Sequence, residues 1–595
     1  MVTRSALVPV GVCAALLAGA SSVHAATKQF ALAVMHFNIQ YVEGGTYGLW
    51  PTPHTVWEVS DEQLQDLIVT QSLDPVLDLF AAHPTWGTDI EMQGYMLDVI
   101  AARHPDTLAK IQALATSGQV EFVSFHYADQ YFIAHAHEDW SRSADLTQQT
   151  FAKWGVPLSS TVFCQEEQSG AGMASAMAAK GYSTLVFPKN LFSYQLGAAA
   201  PHAPLYQLGD VFMVTTDGGS YPAGSDSIQV TWTFVDDGEK LATDGLDPYV
   251  VPSFVTVPSA VAAYESQLAS LEASGYDVTT VGKYAAAVRS MITPPVAPPL
   301  LDGTWQPDST HSNYQWTGGA GLHGPQERDD DNQSLAVVAH RELEAAATIA
   351  RAAGIDASSD LDAAWRVLFL GEGSDATGVN PIQGEVEYGL AYDAEALRIA
   401  RDVVERAKAA MGAASVGIDT QSGTVTPGDT PPDPPPSIAE GPIAVTPGGS
   451  DDRPATVAWA SVDAAHWLLS VTFAPGTVGQ SVSVDFPGTL DDIVYTPALT
   501  DAPVRIPRGG FAFDTYDLPL SDGLVGLGGG WWIVEDEGHG HVAAEITPAS
   551  GDVLFHDDTS PAGEHETWVF HVLQGDLATA AAVAQAVNVQ PKVWR

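Results

Sequence analysis

The stretch that decides the fold is Thr161-Val162-Phe163-Cys164-Gln165-Glu166-Glu167-Gln168-Ser169-Gly170. A short strand-forming run passes directly into two adjacent carboxylates. A Gly/Ala turn follows, then a helical pattern over 173–180 closed by Gly181. In a parallel β/α architecture this order sets Glu166 or Glu167 at the carboxyl end of a strand, where the variable loops gather and catalytic side chains are carried. Two solvated glutamates at a strand end would have the same local sequence, so the surroundings must decide.

Working outward, residues 31–36 form an apolar run ending in His36-Phe37-Asn38, and 120–125 form another that delivers His126. Further strand patterns cover 182–188, 212–216 and 229–234, the last leading into Asp236-Asp237-Gly238-Glu239. Helical periodicity separates them over 61–80, 92–102, 105–117, 146–154 and again after Pro258. Strands alternating with helices of this length imply a parallel sheet with right-handed crossovers, and residues 28–295 are long enough for a barrel-like α/β domain. Beyond a Pro-rich break, 296–415 read as a Trp/Gly-rich segment and a small bundle of Ala-rich helices. Residues 416–437 read as a Pro-rich linker. The Val/Thr/Trp-rich remainder, 438–595, reads as a β-sandwich with a helix near its end.

At 595 residues the chain exceeds one core. It is 45% hydrophobic, and its formal charge of −48 comes from 72 acidic and 24 basic residues. Such a chain is repelled by nucleic acid and by anionic membrane surfaces. Arg4, the apolar run 6–20 and the small-residue pattern Val23-His24-Ala25 read as a secretory signal over 1–25, hence a secreted or periplasmic protein. No later run is long and apolar enough to span a bilayer. Without the signal, Cys164 is the one cysteine left, which excludes an intrachain disulfide.

The chemistry-bearing residues are thus carboxylates and imidazoles at strand ends: His36, His126, Glu166, Glu167, Asp236, Asp237 and Glu239. Two carboxyl groups facing each other across a cleft are what glycosidic cleavage needs, one at the anomeric carbon and one protonating the leaving oxygen. Aromatics such as Trp50, Trp57, Tyr127, Tyr131, Trp305 and Trp316 are candidates to stack on sugar rings.

In order and spacing these residues resemble glycoside hydrolase family 57. The resemblance is carried by His36 in Met-His-Phe-Asn-Ile-Gln-Tyr, Ser117-Gly118-Gln119-Val120-Glu121-Phe122, His126, Gln148/Gln149, Trp154-Gly155, Phe163-Cys164-Gln165-Glu166 and Asp237-Gly238-Glu239. The helical middle region, with Asp375-Ala376-Thr377-Gly378, looks similar to the related family 38 α-mannosidases. The resemblance implies an incomplete (β/α)7-type barrel, a helical bundle and a C-terminal β-sandwich. It also implies a retaining glycoside hydrolase or transglycosylase acting on α-linked oligo- or polysaccharides. Glu166 matches the nucleophile position and Asp237 the acid/base; His36 and His126 match sugar-contacting histidines, with Glu167, Asp236 and Glu239 beside them. Gln165 stands where family 57 has proline. Family 38 would use a zinc ion, yet His36-x-Asn38, Glu166 and Ser374 replace three of its four ligand positions, so neither metal nor cofactor is expected.

Two other readings remain. His135-Ala136-His137, with Asp129 or Asp139, has the two-residue period that would put both imidazoles on one face of a strand for a metal-dependent polysaccharide deacetylase, against an exposed loop as the plainer outcome. Alternatively the barrel is a non-catalytic glycan-binding protein.

Overall fold

A computed structural model describes residues 27–39, 46–47, 57–58, 60–197, 202–243, 255–305, 329–374, 383–419, 422–429, 433–449, 453–485, 489–509, 511–513, 515–539, 543–557 and 566–591. The signal region 1–25 and the Trp/Gly-rich residues 306–328 lie outside them.

Seven parallel strands form the circuit of the first domain, β1 (Thr27–Phe37), β2 (Thr88–Met92), β3 (Val120–Val123), β4 (Thr161–Val162), β5 (Thr184–Phe187), β6 (Val211–Thr215) and β7 (Asp226–Asp237), and a two-residue parallel strand, Asp277–Val278, pairs with β1 beside them. β7, β1, β2 and β3 pair in that order, as do β4, β5 and β6. A parallel bridge from Phe122 to Leu158, with Ser159 N donating to Phe122 O at 2.9 Å, joins the two sheets. Antiparallel strands Gly219–Ala223 and Tyr206–Leu208 border β7 and β6, and among the described strands β6 and β7 do not pair. The barrel is therefore incomplete, with seven parallel strands in the order 7-1-2-3-4-5-6.

The period-two pattern of the strands sorts their side chains between two cores. On β1, Phe30, Leu32 and Val34 pack inside the barrel with Val123, Phe163, Val186, Val214 and Val230. Ala31, Ala33, Met35 and Phe37 pack outward, with Ile90 and Met92 of β2, against the helices Asp61–Leu67, Asp74–Ala82 and Gly94–Arg103. Each fully buried Val, Leu or Phe contributes about 1.5–3 kcal/mol relative to exposure. The next inward residue on β1 is His36, and Asp89 and Glu91 are the inward residues of β2.

Several sequence-based boundaries are corrected. The pattern starting at residue 92 hides the end of a strand, β2, and the helix begins at Gly94. The helix expected over 146–154 begins nine residues earlier, α1 being His137–Lys153. The helix expected over 61–80 is interrupted by a wide turn at Ile68–Leu73. The bundle comprises α2 (Asp329–Ala353), α3 (Ser358–Gly371) and α4 (Gln383–Met411), packed through Leu343, Ile349, Leu368 and Val403. Val416–Asp419 and Thr424–Pro427, inside the stretch read as a linker, form a hairpin because Val416 and Ile418 bury against that bundle. The C-terminal region is two antiparallel sheets, of eight and five strands, enclosing one apolar core, with the helix Leu577–Ala584 after the last strand.

Candidate active site

The parallel register sets the site. His36 on β1 is paired with Asp237 on β7 and with Glu91 on β2, so these residues form a row across the carboxyl end of the sheet. His36 Nδ1 is in ion-pair contact with the Glu91 carboxylate, and both are buried. Burial by itself would lower the imidazole. Glu91, with the charges of Asp129 and Glu239, outweighs this and raises it well above its ordinary value. The chain after β1 is tied down twice: Gly238 N donates to His36 O, and Asn38 N donates to Glu239 Oε1. Gln93 Nε2 reaches both Phe37 O at 3.1 Å and Asp129 Oδ1 at 2.6 Å. His126, fully buried after β3, accepts from Gln165 N at 3.4 Å. Burial, reinforced by the nearby His36 charge, pushes it down to about 3, so it is neutral.

At the end of β4 the backbone turns sharply. Glu166 and Glu167 have φ of 52° and 50°, and they are the non-glycine residues with positive φ among the described ones. A left-handed conformation costs such residues about 1–3 kcal/mol each, and it persists where surrounding contacts impose it. Here Gln168 Nε2 donates to Gln165 O at 3.1 Å and to Gln130 O at 2.9 Å. The Glu166 carboxylate accepts from Gln165 Nε2 at 3.0 Å and from the Trp305 indole N–H. The apolar residues before the turn bury: Val162, Phe163 and Cys164 are each at most 3% exposed. The regular ladder nevertheless ends at Val162. The Cys164 thiol is pushed well above its ordinary value by burial, then by Glu91, which disfavours its thiolate form.

Glu167 lies toward the end of β7. Burial, and then the charges of Asp236 and Asp237, push its carboxyl up to about 8. Glu239 is also pushed up to about 8, by burial and then Asp237, against the opposing pull of His36. Asp237 is 39% exposed in its side chain and pairs with Lys240 at 2.8 Å; Asp236 pairs with the same lysine at 3.1 Å.

All seven residues named from sequence thus lie at the carboxyl ends of β1, β3, β4 and β7. His36, Glu239 and Asp237 form one neighbourhood, and Glu167 with Asp236 and Asp237 another. Glu91 and Gln93 were not anticipated, and Asp129 was named only as a possible metal ligand. The signal for Glu91 and Gln93 was the alternation Thr88-Asp89-Ile90-Glu91-Met92-Gln93, in which apolar residues mark the outward face and polar ones the inward one. The metal-binding alternative is not assembled. His135 is buried in extended backbone and His137 opens helix α1, so no strand aligns them, and neither lies in an exposed loop. His137 Nδ1 donates to Ala498 O at 2.9 Å, Asp139 pairs with His340 at 2.7 Å and Asp129 accepts from Gln93. Among the described residues no group of three or more His, Cys, Asp or Glu could hold a metal ion. No described helix is long and apolar enough to cross a membrane.

Compared by sequence, the chain matches no family model and no curated protein. Compared by structure, it is similar to an α-mannosidase from Enterococcus faecalis V583, with TM-score 0.62 at 10% identity over 96% of this chain and 90% of that one. A family 38 glycosyl hydrolase from Enterococcus faecalis gives TM-score 0.54 at 10% identity, over 94% and 88%. The chain shares their fold. A family 57-type branching enzyme from Pyrococcus horikoshii overlays less fully, with TM-score 0.44 at 11% identity over 64% and 94%. The likeness to the family 38 fold runs through barrel, bundle and β-sheets alike.

Proposed function

We propose that the protein is a carbohydrate-active enzyme that cleaves or transfers α-linked glycosidic bonds by the retaining route, with Glu166 as nucleophile and Asp237 as general acid/base. The observation that carries this reading is the left-handed backbone at Glu166 and Glu167, strain located at the carboxyl end of a barrel strand beside a row of inward acids and imidazoles. The fold shared with an α-mannosidase supports the same substrate class.

In the first step a Glu166 oxygen attacks the anomeric carbon while the leaving oxygen takes a proton. In the second, water attacks for hydrolysis, or a sugar hydroxyl for transfer, and the acid group recovers its proton. Burial, and then the charges of Asp236 and Asp237, keep that proton on Glu167 at rest. Asp237, at the cleft edge with Lys240, delivers it. His36, fixed by Glu91 as an imidazolium, donates toward sugar hydroxyls, and neutral His126 buttresses the nucleophile turn. The test is a screen of aryl α-mannosides, aryl α-glucosides and α-glucans with the wild type, Glu166→Gln and Asp237→Asn. Turnover surviving in both variants would discard the pair.

A further inference from the structure

We propose that Trp305 is a positioning residue for Glu166: its indole N–H fixes the rotamer of the carboxylate and favours the ionised, attacking form. This rests on the reading of Glu166 as nucleophile. Residues 302–305 run as a strap along the turn after β4. Ser169 and Gly303 exchange backbone hydrogen bonds of 3.0 and 2.9 Å, Asp302 Oδ1 accepts from Ala171 N at 3.0 Å, and Trp305 N donates to Glu166 O at 3.1 Å. The strap is anchored in turn on the helix Lys189–Leu196. Leu301 N donates to Gln195 Oε1 at 3.2 Å, Gln195 Nε2 returns a bond of 2.8 Å to Leu301 O, and the Asn190 side-chain amide donates to Trp305 O. Gly170 is required beneath it, since a Cβ there would overlap the Asp302 carboxylate.

These backbone contacts already hold the strap. The indole N–H therefore adds little to its placement and acts on the carboxylate instead. Trp305 is also 40% exposed, one of few large apolar residues left in water among the described ones. A tryptophan whose N–H is committed to a carboxylate while its ring stays open is not serving a packed core. Together the two contacts from Trp305 hold both the backbone and the side chain of Glu166, at a position where the peptide is strained. A donor to the charged form of a carboxylate lowers its proton affinity, which is what an attacking group needs.

The test is Trp305→Phe, which keeps the ring and removes the donor. Carbodiimide-promoted amidation of Glu166, followed across pH by peptide mass spectrometry, reports its protonation whether or not a substrate is known. The midpoint at Glu166 is expected to rise by about half to one pH unit. On an aryl α-glycoside the acid limb of kcat/KM is expected to move by the same amount, with kcat down about 10- to 100-fold and KM within about threefold. An unmoved midpoint and an unmoved limb overturn the inference, even if kcat falls. A shifted midpoint in a protein whose Glu166→Gln variant remains fully active would leave the positioning contact standing and remove the nucleophile reading. An unshifted midpoint beside an inactive Glu166→Gln would do the reverse.

Discussion

Replacing Glu91 by Gln isolates the electrostatics on which the inward row depends. In the native protein His36 is buried and cationic because Glu91 neutralises it. Removing one partner of a buried ion pair typically costs about 3–5 kcal/mol. With Glu91 gone, burial dominates and His36 folds neutral, which changes how stability depends on pH. Where the unfolded chain binds one more proton than the folded one, stability falls by about 1.4 kcal/mol per pH unit of acidification. In the variant this applies below the unfolded histidine value of about 6.5, so from pH 6.5 to 5 it loses about 2 kcal/mol more. The native His36, raised when folded, behaves oppositely. Its contribution is fully present below about pH 6.5 and is lost as pH rises through the higher folded value. The two stabilities therefore diverge in acid and converge in alkali. Because three domains need not unfold as one, the assay is hydrogen exchange of β1 and β2 peptides between pH 5 and 8.5, corrected for intrinsic exchange. Parallel profiles for the two proteins would refute the ion-pair account.

Further outcomes follow from the same geometry. Glu166→Gln should lower turnover of an aryl α-glycoside by at least about a thousandfold with circular dichroism unchanged. In Glu167→Gln the stored proton is lost. Because Glu167 holds its proton up to about pH 8, the alkaline limb of kcat/KM should move to lower pH, and an unmoved limb would exclude the shared-proton scheme. Glu167→Gly should raise stability by a few tenths to about 1 kcal/mol in urea titrations while lowering activity, since glycine adopts positive φ without a Cβ penalty. Gly170→Ala should destabilise by about 1–3 kcal/mol and lower kcat, because the added methyl displaces Asp302 and with it the strap.

What sequence could reveal followed from periodicity, and what it concealed followed from tertiary contact. Phe30, Leu32 and Val34 alternate so plainly that β1 and its terminal His36 were legible. The same holds for the alternating run Trp467 to Phe473, most of which lies in the strand His466–Thr472 of the eight-stranded C-terminal sheet. The strand-end position of Glu166 was legible because an apolar run stops one glutamine short of two acids. The strand Thr88–Met92 was not, because its inward face is acidic and a polar residue at every second place reads as surface. Only the pairing His36 to Glu91, 55 positions apart, makes that acid tolerable in the interior. Trp305 was visible as an aromatic but not as a partner of Glu166, 139 positions away. Likewise the start of α1 at His137 depends on the burial of Trp140, Ala144 and Phe151 and on the Asp139–His340 pair across to the bundle. The local sequence shows these residues but not their pairing.

The central claim is covalent chemistry at one side chain. A fluorinated glycosyl fluoride that slows breakdown of a glycosyl-enzyme should, after proteolysis, leave its sugar mass on Glu166. In parallel, proton NMR of a turned-over substrate should give product of retained anomeric configuration. A sugar found on Glu167, or inverted product with no adduct, would contradict the account.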